Sequence, residues 1–463
     1  LRGDLLLRRH AAAGMNEDPP EPRGSMRARA HLVSASAVGN TLEWYDFAIF
    51  GFLTPYISQA FFPESDPAAG LLKTFGIFAA GYLMRPLGAV VFGHVGDRIG
   101  RRQALLCSVL LMAVPTFLLG LLPGYDRIGI LAPMLLVVLR LLQGISVGGE
   151  FAASITFVSE LSSDRHRGLV GSLTMCGAMA GFIIGSGACE LVTVLFGEGA
   201  MASWGWRVPF LTGILLALSA LWMRRSLPAS STFQEDRMMH DASPHPVVDV
   251  LTNQWGRLVR LVGIVLMQAV SFYMFFVWLP VSLNTILKAR IPQPLLLNTI
   301  GLVVLMASII GAGWLSDRIG RKPLLVGAAL VLAGVSWPLF GLLQGGGSGP
   351  VLGVVVAFAI LIGAAQGPTP AMMAELFPTR SRLTGIGIGY NVTQAVAGGT
   401  APAFCIWLIM MTHTNTAPAV YMTAAALAGL VAAACLRDRT GRPLADGAGG
   451  VTEPVIEERR SER

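Results

Sequence analysis

The stretch Gly93-His94-Val95-Gly96-Asp97-Arg98-Ile99-Gly100-Arg101-Arg102 returns as Gly313-Trp314-Leu315-Ser316-Asp317-Arg318-Ile319-Gly320-Arg321-Lys322, 220 residues further on. Each copy sits between two long apolar segments. A basic turn broken by glycine and repeated near the middle of each half of an apolar chain implies duplication of a membrane-embedded bundle. The turn then joins equivalent helices in the two halves, as in a two-fold pseudosymmetric transporter.

Composition agrees. Of 463 residues, 53% are apolar and 13% charged, against about a quarter charged in a soluble domain, and the mean hydropathy is +0.62. The formal net charge of +7 raises a nucleic-acid reading, but the cations are scattered through short loops, which excludes it. The five cysteines (Cys107, Cys176, Cys189, Cys405 and Cys435) fall inside apolar segments without ligand spacing and read as small apolar filler. No nucleophile–base constellation, metal cluster or phosphate loop appears, so an enzyme is not expected and neither is a cofactor; a proton gradient is the expected driving force.

Twelve apolar runs can cross about 30 Å of hydrocarbon. They lie near 34–61, 71–92, 103–122, 130–158, 169–196 and 207–223, then 259–284, 295–315, 324–343, 351–375, 384–411 and 418–436. The expected fold class is an all-α membrane protein of twelve transmembrane helices in two pseudosymmetric six-helix bundles. Its parts are a disordered segment 1–30 with Met15 or Met26 as a start, a first bundle 31–223, a linker 224–257, a second bundle 258–436 and a tail 437–463. The linker, rich in Ser and Pro, has room for a short surface helix. Lysine and arginine gather on one side: the two turns, Arg165, Arg167, Arg257, Arg260, Arg380, Arg382, Arg437 and Arg439, against Arg127, Arg207, Lys288 and Arg290 on the other. The rule that cytoplasmic loops carry the positives puts both termini inside, in a multi-pass protein of the plasma (inner) membrane.

A second echo reinforces the duplication. Glu160 precedes Arg165 and Arg167, and Glu375 precedes Arg380 and Arg382, 215 residues later. Acids at the ends of the fourth and tenth helices can pair with turn arginines, latching the inner ends in one state and parting in the other; Asp97 and Asp317 can accept from exposed amides at a helix start. Asp97, Arg98, Arg101, Glu160, Asp317, Arg318, Arg321 and Glu375 are thus candidate gating residues. The plainer alternative is that the arginines only orient the chain.

Charges buried in the spans are the sharper signal. Asn40, Glu43, Asp46 or Phe47, and Phe50 share one stripe of the first helix. Arg140, Gln143, Val147, Glu150 and Ser154 line one face of the fourth, with Gly144, Gly148 and Ala152 forming a smooth adjoining row for close packing. Carboxylates in a spanning helix cost several kcal/mol unless protonated, paired or wetted, so they face the interior. Asp46 with Arg140 is the expected proton-coupling pair, with Glu43 and Glu150 as further candidates, and a permanent ion pair pinning the first helix to the fourth is the alternative. Arg85, beside the helix-bending Pro86, is another buried cation. The second half offers neutral groups, among them Gln268, Tyr273, Gln366, Tyr390, Asn391 and Gln394. The candidate substrate contacts are Arg85, Arg140, Asn40, Tyr45, Gln143, Tyr273, Gln366, Tyr390 and Asn391, any of which can instead be a packing hydrogen bond.

Several segments carry a family resemblance. Gly39-Asn40, Glu43-Trp44-Tyr45-Asp46-Phe47, Met84-Arg85-Pro86-Leu87-Gly88, Gly148-Gly149-Glu150, Trp204-Gly205-Trp206-Arg207-Val208-Pro209-Phe210 and Gly398-Gly399-Thr400-Ala401-Pro402 resemble the metabolite:proton symporters of the major facilitator superfamily. That branch includes α-ketoglutarate, citrate, tricarballylate and shikimate permeases and the proline/betaine osmosensing transporter. The resemblance covers residues 31–436 and implies proton-coupled alternating access by a functional monomer in the lipid bilayer, with protons and a small organic anion as partners. Two buried arginines point to an anion, so import of a small organic acid such as citrate or α-ketoglutarate is the expected function. The alternatives are a proline/betaine-type zwitterion symporter and a proton-antiport exporter of a small metabolite or drug.

Overall fold

The computed structural model describes residues 40–63, 66–98, 101–147, 150–225, 246–343 and 347–444. The segment 1–30, most of the linker and the end of the tail lie outside these, as do the side chains of Asp97, Arg98, Arg101 and Glu150.

Among the described residues the secondary structure is helical throughout. The first half holds α1 (40–61), α2 (Pro67–Leu83 continuing as Arg85–Arg98), α3 (Arg101–Leu121), α4 (Leu131–Ser146 with Glu150–Leu161), α5 (Arg167–Ser203) and α6 (Val208–Arg225). The second holds α7 (Trp255–Tyr273, a π turn Met274–Trp278, then Leu279–Thr285), α8 (Pro294–Ile319), α9 (Arg321–Leu342), α10 (Ser348–Gln366 and Thr369–Leu376), α11 (Arg382–Thr393, a π turn Gln394–Gly398, then Ala401–Thr412) and α12 (Pro418–Ala434). The linker's expected short helix is Pro246–Thr252. Eight helices are long and apolar enough to span on their own; α1, α3, α6 and α12 complete the twelve.

Local chemistry sets the helix boundaries. Asp66 caps α2 by accepting from the Ala68 amide at 3.0 Å, ahead of Pro67 at the first helical position. Pro86 removes an amide where α2 breaks at Met84, the joint that delivers Arg85 to the interior. Gly367, Pro368 and Pro370 divide α10. Glycine permits the closest crossing: a β-carbon on Gly144 would lie 2.0 Å from the Gly81 carbonyl oxygen, so α2 and α4 meet backbone to backbone. The two halves pack along α5 against α8 and α2 against α11.

Candidate functional site

The first-helix stripe turns inward and meets α4. Asp46 and Arg140 are both buried. Arg140 Nη1 donates to Asp46 Oδ2 at 3.1 Å and to Gln143 Oε1 at 3.1 Å. Gln143 Nε2 donates to Asp46 Oδ1 at 2.8 Å and to Thr116 Oγ1 at 2.9 Å, and the Thr116 hydroxyl lies 2.6 Å from Asp46 Oδ1. Helix spacing produces this cluster, because Arg140 and Gln143 stand three residues apart on one face of α4. The guanidinium also lies over the rings of Phe47 (4.3 Å) and Phe50 (4.4 Å). Arg140 Nε and Nη2 make no hydrogen bond to protein. A cavity of about 10 Å³ beside Asp46 and Thr116 has room for about one water.

A second charged pair stands next to the first. Arg85 Nη2 is 3.9 Å from Glu43 Oε1, and its guanidinium lies over Tyr82 (4.1 Å), Phe47 (4.7 Å) and Trp44 (5.0 Å). Its Nε and Nη2 donate to no protein atom. The Tyr82 hydroxyl meets that of Tyr273 from α7 at 2.6 Å, joining the halves over these cations. Tyr273 ends the regular part of α7 where the π turn begins, a local widening common at functional sites. Gly398 and Gly399 let α11 lie against the Tyr273 and Tyr82 rings, where a β-carbon would come within 2.7 Å of each.

Other expected contacts are distributed differently. Tyr45 does not join the cluster: its hydroxyl donates to the Pro209 carbonyl of α6 at 2.8 Å, making it a packing bond. Asn40 Oδ1 accepts from the Trp44 indole at 2.9 Å, an interaction within α1. Tyr390 stacks on Phe151 with ring centroids 4.3 Å apart, across the halves. Gln366 and Asn391 are buried, and Gln366 Oε1 accepts no bond. Gln268 donates to the Ala365 carbonyl at 2.8 Å and to Thr369, tying α7 to α10. Sequence reasoning missed Thr116 and Tyr82, whose residue types are ordinary in apolar helices.

At the end of the bundles that carries the basic turns, the charges cross between halves. Glu160 pairs with Arg382 at 2.5 Å, and Glu375 with Arg167 at 3.2 Å, so each acid takes its arginine from the opposite half. Arg321 Nη2 also holds Glu375 at 3.2 Å while its Nη1 pairs with Asp317 at 2.8 Å. Asp317 accepts from the amides of Gly168 and Leu169, both at 2.8 Å, capping the start of α5 from the other half. Arg318 lies over Trp314 of its own helix at 3.8 Å. The crossed pairs use Arg167 and Arg382 instead; their position behind the two glutamates was the signal. The Asp97, Arg98, Arg101 and Glu150 side chains belong to the part not described. At the opposite end, Ser186 of α5 donates to the Leu295 carbonyl at 3.0 Å and receives Asn298 and Thr299 of α8 at 3.2 and 2.9 Å.

This architecture is shared with known proteins. A family profile described as Major Facilitator Superfamily matches residues 37–402. The "Glycine betaine/proline/ectoine/pipecolic acid transporter OusA" of Dickeya dadantii strain 3937 is 33% identical over 428 residues, spanning 89% of this chain and 84% of that protein. The "Proline/betaine transporter" of Escherichia coli strain K12 is 31% identical over the same length and the same shares. Among solved structures, the proton:xylose symporter XylE bound to 6-bromo-6-deoxy-D-glucose aligns with a TM-score of 0.70 at 19% identity, covering 89% of this chain and 97% of that one. A partially occluded, inward-open form of the E. coli xylose transporter aligns at 0.67, again at 19%, over 89% and 99%. The matched relatives are transporters and not enzymes. With twelve apolar helices, two halves and a basic turn in each, the chain is an integral multi-pass membrane transporter and belongs to the major facilitator superfamily.

Proposed function

We propose that this transporter imports a small, net-neutral solute bearing a carboxylate, of the proline/betaine kind, together with protons across the plasma (inner) membrane. The basic ends of the bundles and both termini then face the cytoplasm, in keeping with loop charge. One observation carries the reading: each buried arginine of the centre already has a carboxylate beside it, Arg140 with Asp46 and Arg85 with Glu43. The four groups sum to zero when all are charged, and to a single positive charge once Asp46 takes up its proton. A zwitterion adds no net charge to such a site, whereas citrate or α-ketoglutarate brings at least one more negative charge into a low dielectric than the protonated centre balances. The organic-acid expectation rested on two arginines counted without their partners. The names of the matched relatives, which specify proline and betaine, favour the same alternative.

The coupling follows from the donors of Arg140. Ionised Asp46 holds the guanidinium through Nη1 and leaves Nε and Nη2 unused. A proton on Asp46 cancels that attraction and frees the fork for a substrate carboxylate, which it can grip with two parallel bonds. Arg85, with two idle nitrogens under Tyr82, is the second anchor. The joined Tyr82 and Tyr273 hydroxyls cover both cations, and their separation opens the site. The crossed glutamate–arginine pairs latch the inner end.

Uptake into proteoliposomes tests this reading. With an inward proton gradient, labelled proline or glycine betaine is expected to accumulate and a protonophore to abolish the accumulation. Accumulation of citrate or α-ketoglutarate with indifference to both zwitterions overturns the substrate assignment, and protonophore-insensitive accumulation overturns the coupling.

A further inference from the structure

Away from the paired charges of the centre, a cavity of about 410 Å³ opens among the starts of α7 and α9, the end of α10 and the segment following α12. Its wall carries six cations, Arg257, Arg260, Arg321, Lys322, Arg437 and Arg439, against two carboxylates, Glu375 and Asp438. Both carboxylates are engaged. Glu375 is shared by Arg167 and Arg321. Asp438 accepts from the Lys322 amide at 3.1 Å and from the Thr440 amide and hydroxyl at 3.0 and 2.5 Å, capping the start of α9. Burial pushes its carboxyl up, but these bonds and the nearby Arg321 outweigh burial and hold it below the usual carboxylate range.

Among the described residues, Arg257, Arg260, Lys322, Arg437 and Arg439 therefore face the cavity without a carboxylate in ion-pair reach. Even with Glu375 and Asp438 in the wall and Asp249 acting on Arg257, the cations are in excess and repel one another until an anion enters. Guanidinium forks match the several oxygens of a phosphate better than a single carboxylate, and the volume admits a phosphate together with its ester substituent. A separate feature points to the source of that phosphate. The linker helix Pro246–Thr252 exposes Val247, Val248 and Leu251, and Trp255 and Val259 continue an exposed apolar strip along the start of α7 beside the cavity. A short helix with an apolar exposed side and a tryptophan at its end is the chemistry of a membrane–water boundary.

We propose that this basic cavity binds the phosphate headgroup of an anionic phospholipid, with the acyl chains along the strip from Val247 to Val259. Arg321 and Glu375 line both this cavity and the crossed latch, so a bound headgroup rests directly against the closed end of the transporter. The site is independent of the transported solute.

The test uses the full chain purified in detergent and titrated with dioctanoyl phosphatidylglycerol, dioctanoyl phosphatidylcholine or inorganic phosphate. Binding is read by native mass spectrometry and by the shift in Tm. Phosphatidylglycerol is expected to bind about tenfold or more tighter than phosphatidylcholine, and Arg257→Gln/Arg437→Gln to erase that preference. Arg127→Gln/Arg290→Gln, at the other end of the bundles, should retain it. Lys322→Gln serves as a milder variant should the double substitution fail to fold, with a preference reduced about threefold or more. Equal binding of the two lipids, or a preference untouched by both cavity variants, overturns the proposal. Inorganic phosphate binding as tightly as phosphatidylglycerol overturns the lipid as occupant in favour of a soluble anion.

Discussion

Only one terminal nitrogen of Arg140 reaches Asp46, and whether that contact titrates during transport decides between a transport device and a structural staple. A permanent buried pair gains little over apolar packing, whereas removal of one member strands the other charge at about 3–5 kcal/mol. Asp46→Asn keeps the shape and the hydrogen-bond acceptor but cannot titrate. It should abolish proton-driven accumulation while leaving solute exchange at about a tenth of the original rate or more, measured as counterflow in proteoliposomes. Unchanged accumulation would reduce the pair to a staple. Charge balance makes a second claim. Glu43→Gln leaves the centre with one excess positive charge, so the ratio of anion to zwitterion uptake should rise about tenfold, as expected for about 1.4 kcal/mol of altered electrostatics. An unmoved ratio removes the balance argument. Asp46 with Arg140 was legible in sequence because carboxylates and arginines in apolar helices are rare and seek each other. Glu43 with Arg85 was not, since their approach depends on the break at Met84 that sets the direction of Arg85.

At the level of helices, the crossed ion pairs are symmetric by exchange: the acid closing α4 takes an arginine from the start of α11, and the acid of α10 takes one from the start of α5. Burial ranks the two. The Glu160 side chain is 41% exposed and that of Glu375 is 6% exposed, so solvent screens the first pair to about 0.2–1 kcal/mol, while loss of the second carboxylate strands buried arginine charge at about 3–5 kcal/mol. Glu375→Gln should therefore open the basic end more than Glu160→Gln does, read as faster alkylation of Ala371→Cys in a background with the native cysteines replaced by alanine. Rates in both variants no faster than in the parent would show that the crossed pairs do not hold the closed state, and equal acceleration would overturn the ranking by burial. Packing makes a separate prediction at the crossing of α2 and α4. Gly144→Ala drives a methyl into the Gly81 carbonyl and should cost about 1–3 kcal/mol, seen as a lower Tm, while Gly187→Ala, with open space around it, should leave Tm level or raise it. Acids, arginines and the smooth glycine row were all visible in the sequence. The exchange of partners between halves was not, because a repeat specifies equivalent places without specifying which copy each place meets.

For the whole molecule, duplication was the strongest legible property, and it reaches further than hydropathy. Eight helices qualify as spans on their own length and apolarity; the other four follow from the demand that each half be complete. Which way the bundle faces is a claim only about the whole chain, since no single loop decides it. Lysine and arginine crowd one end, where the turns, the latch and the basic cavity lie, and translocation of such loops is disfavoured. Cysteines placed at Arg290, between α7 and α8, and at Arg437, after α12, sample opposite ends. In intact cells of a bacterial host whose outer membrane has been permeabilised, a membrane-impermeant maleimide should label Arg290→Cys and spare Arg437→Cys until the inner membrane is lysed. The reverse pattern would place the latch outside, and the proton driving uptake would then have to enter through the end that Glu160 and Glu375 now close.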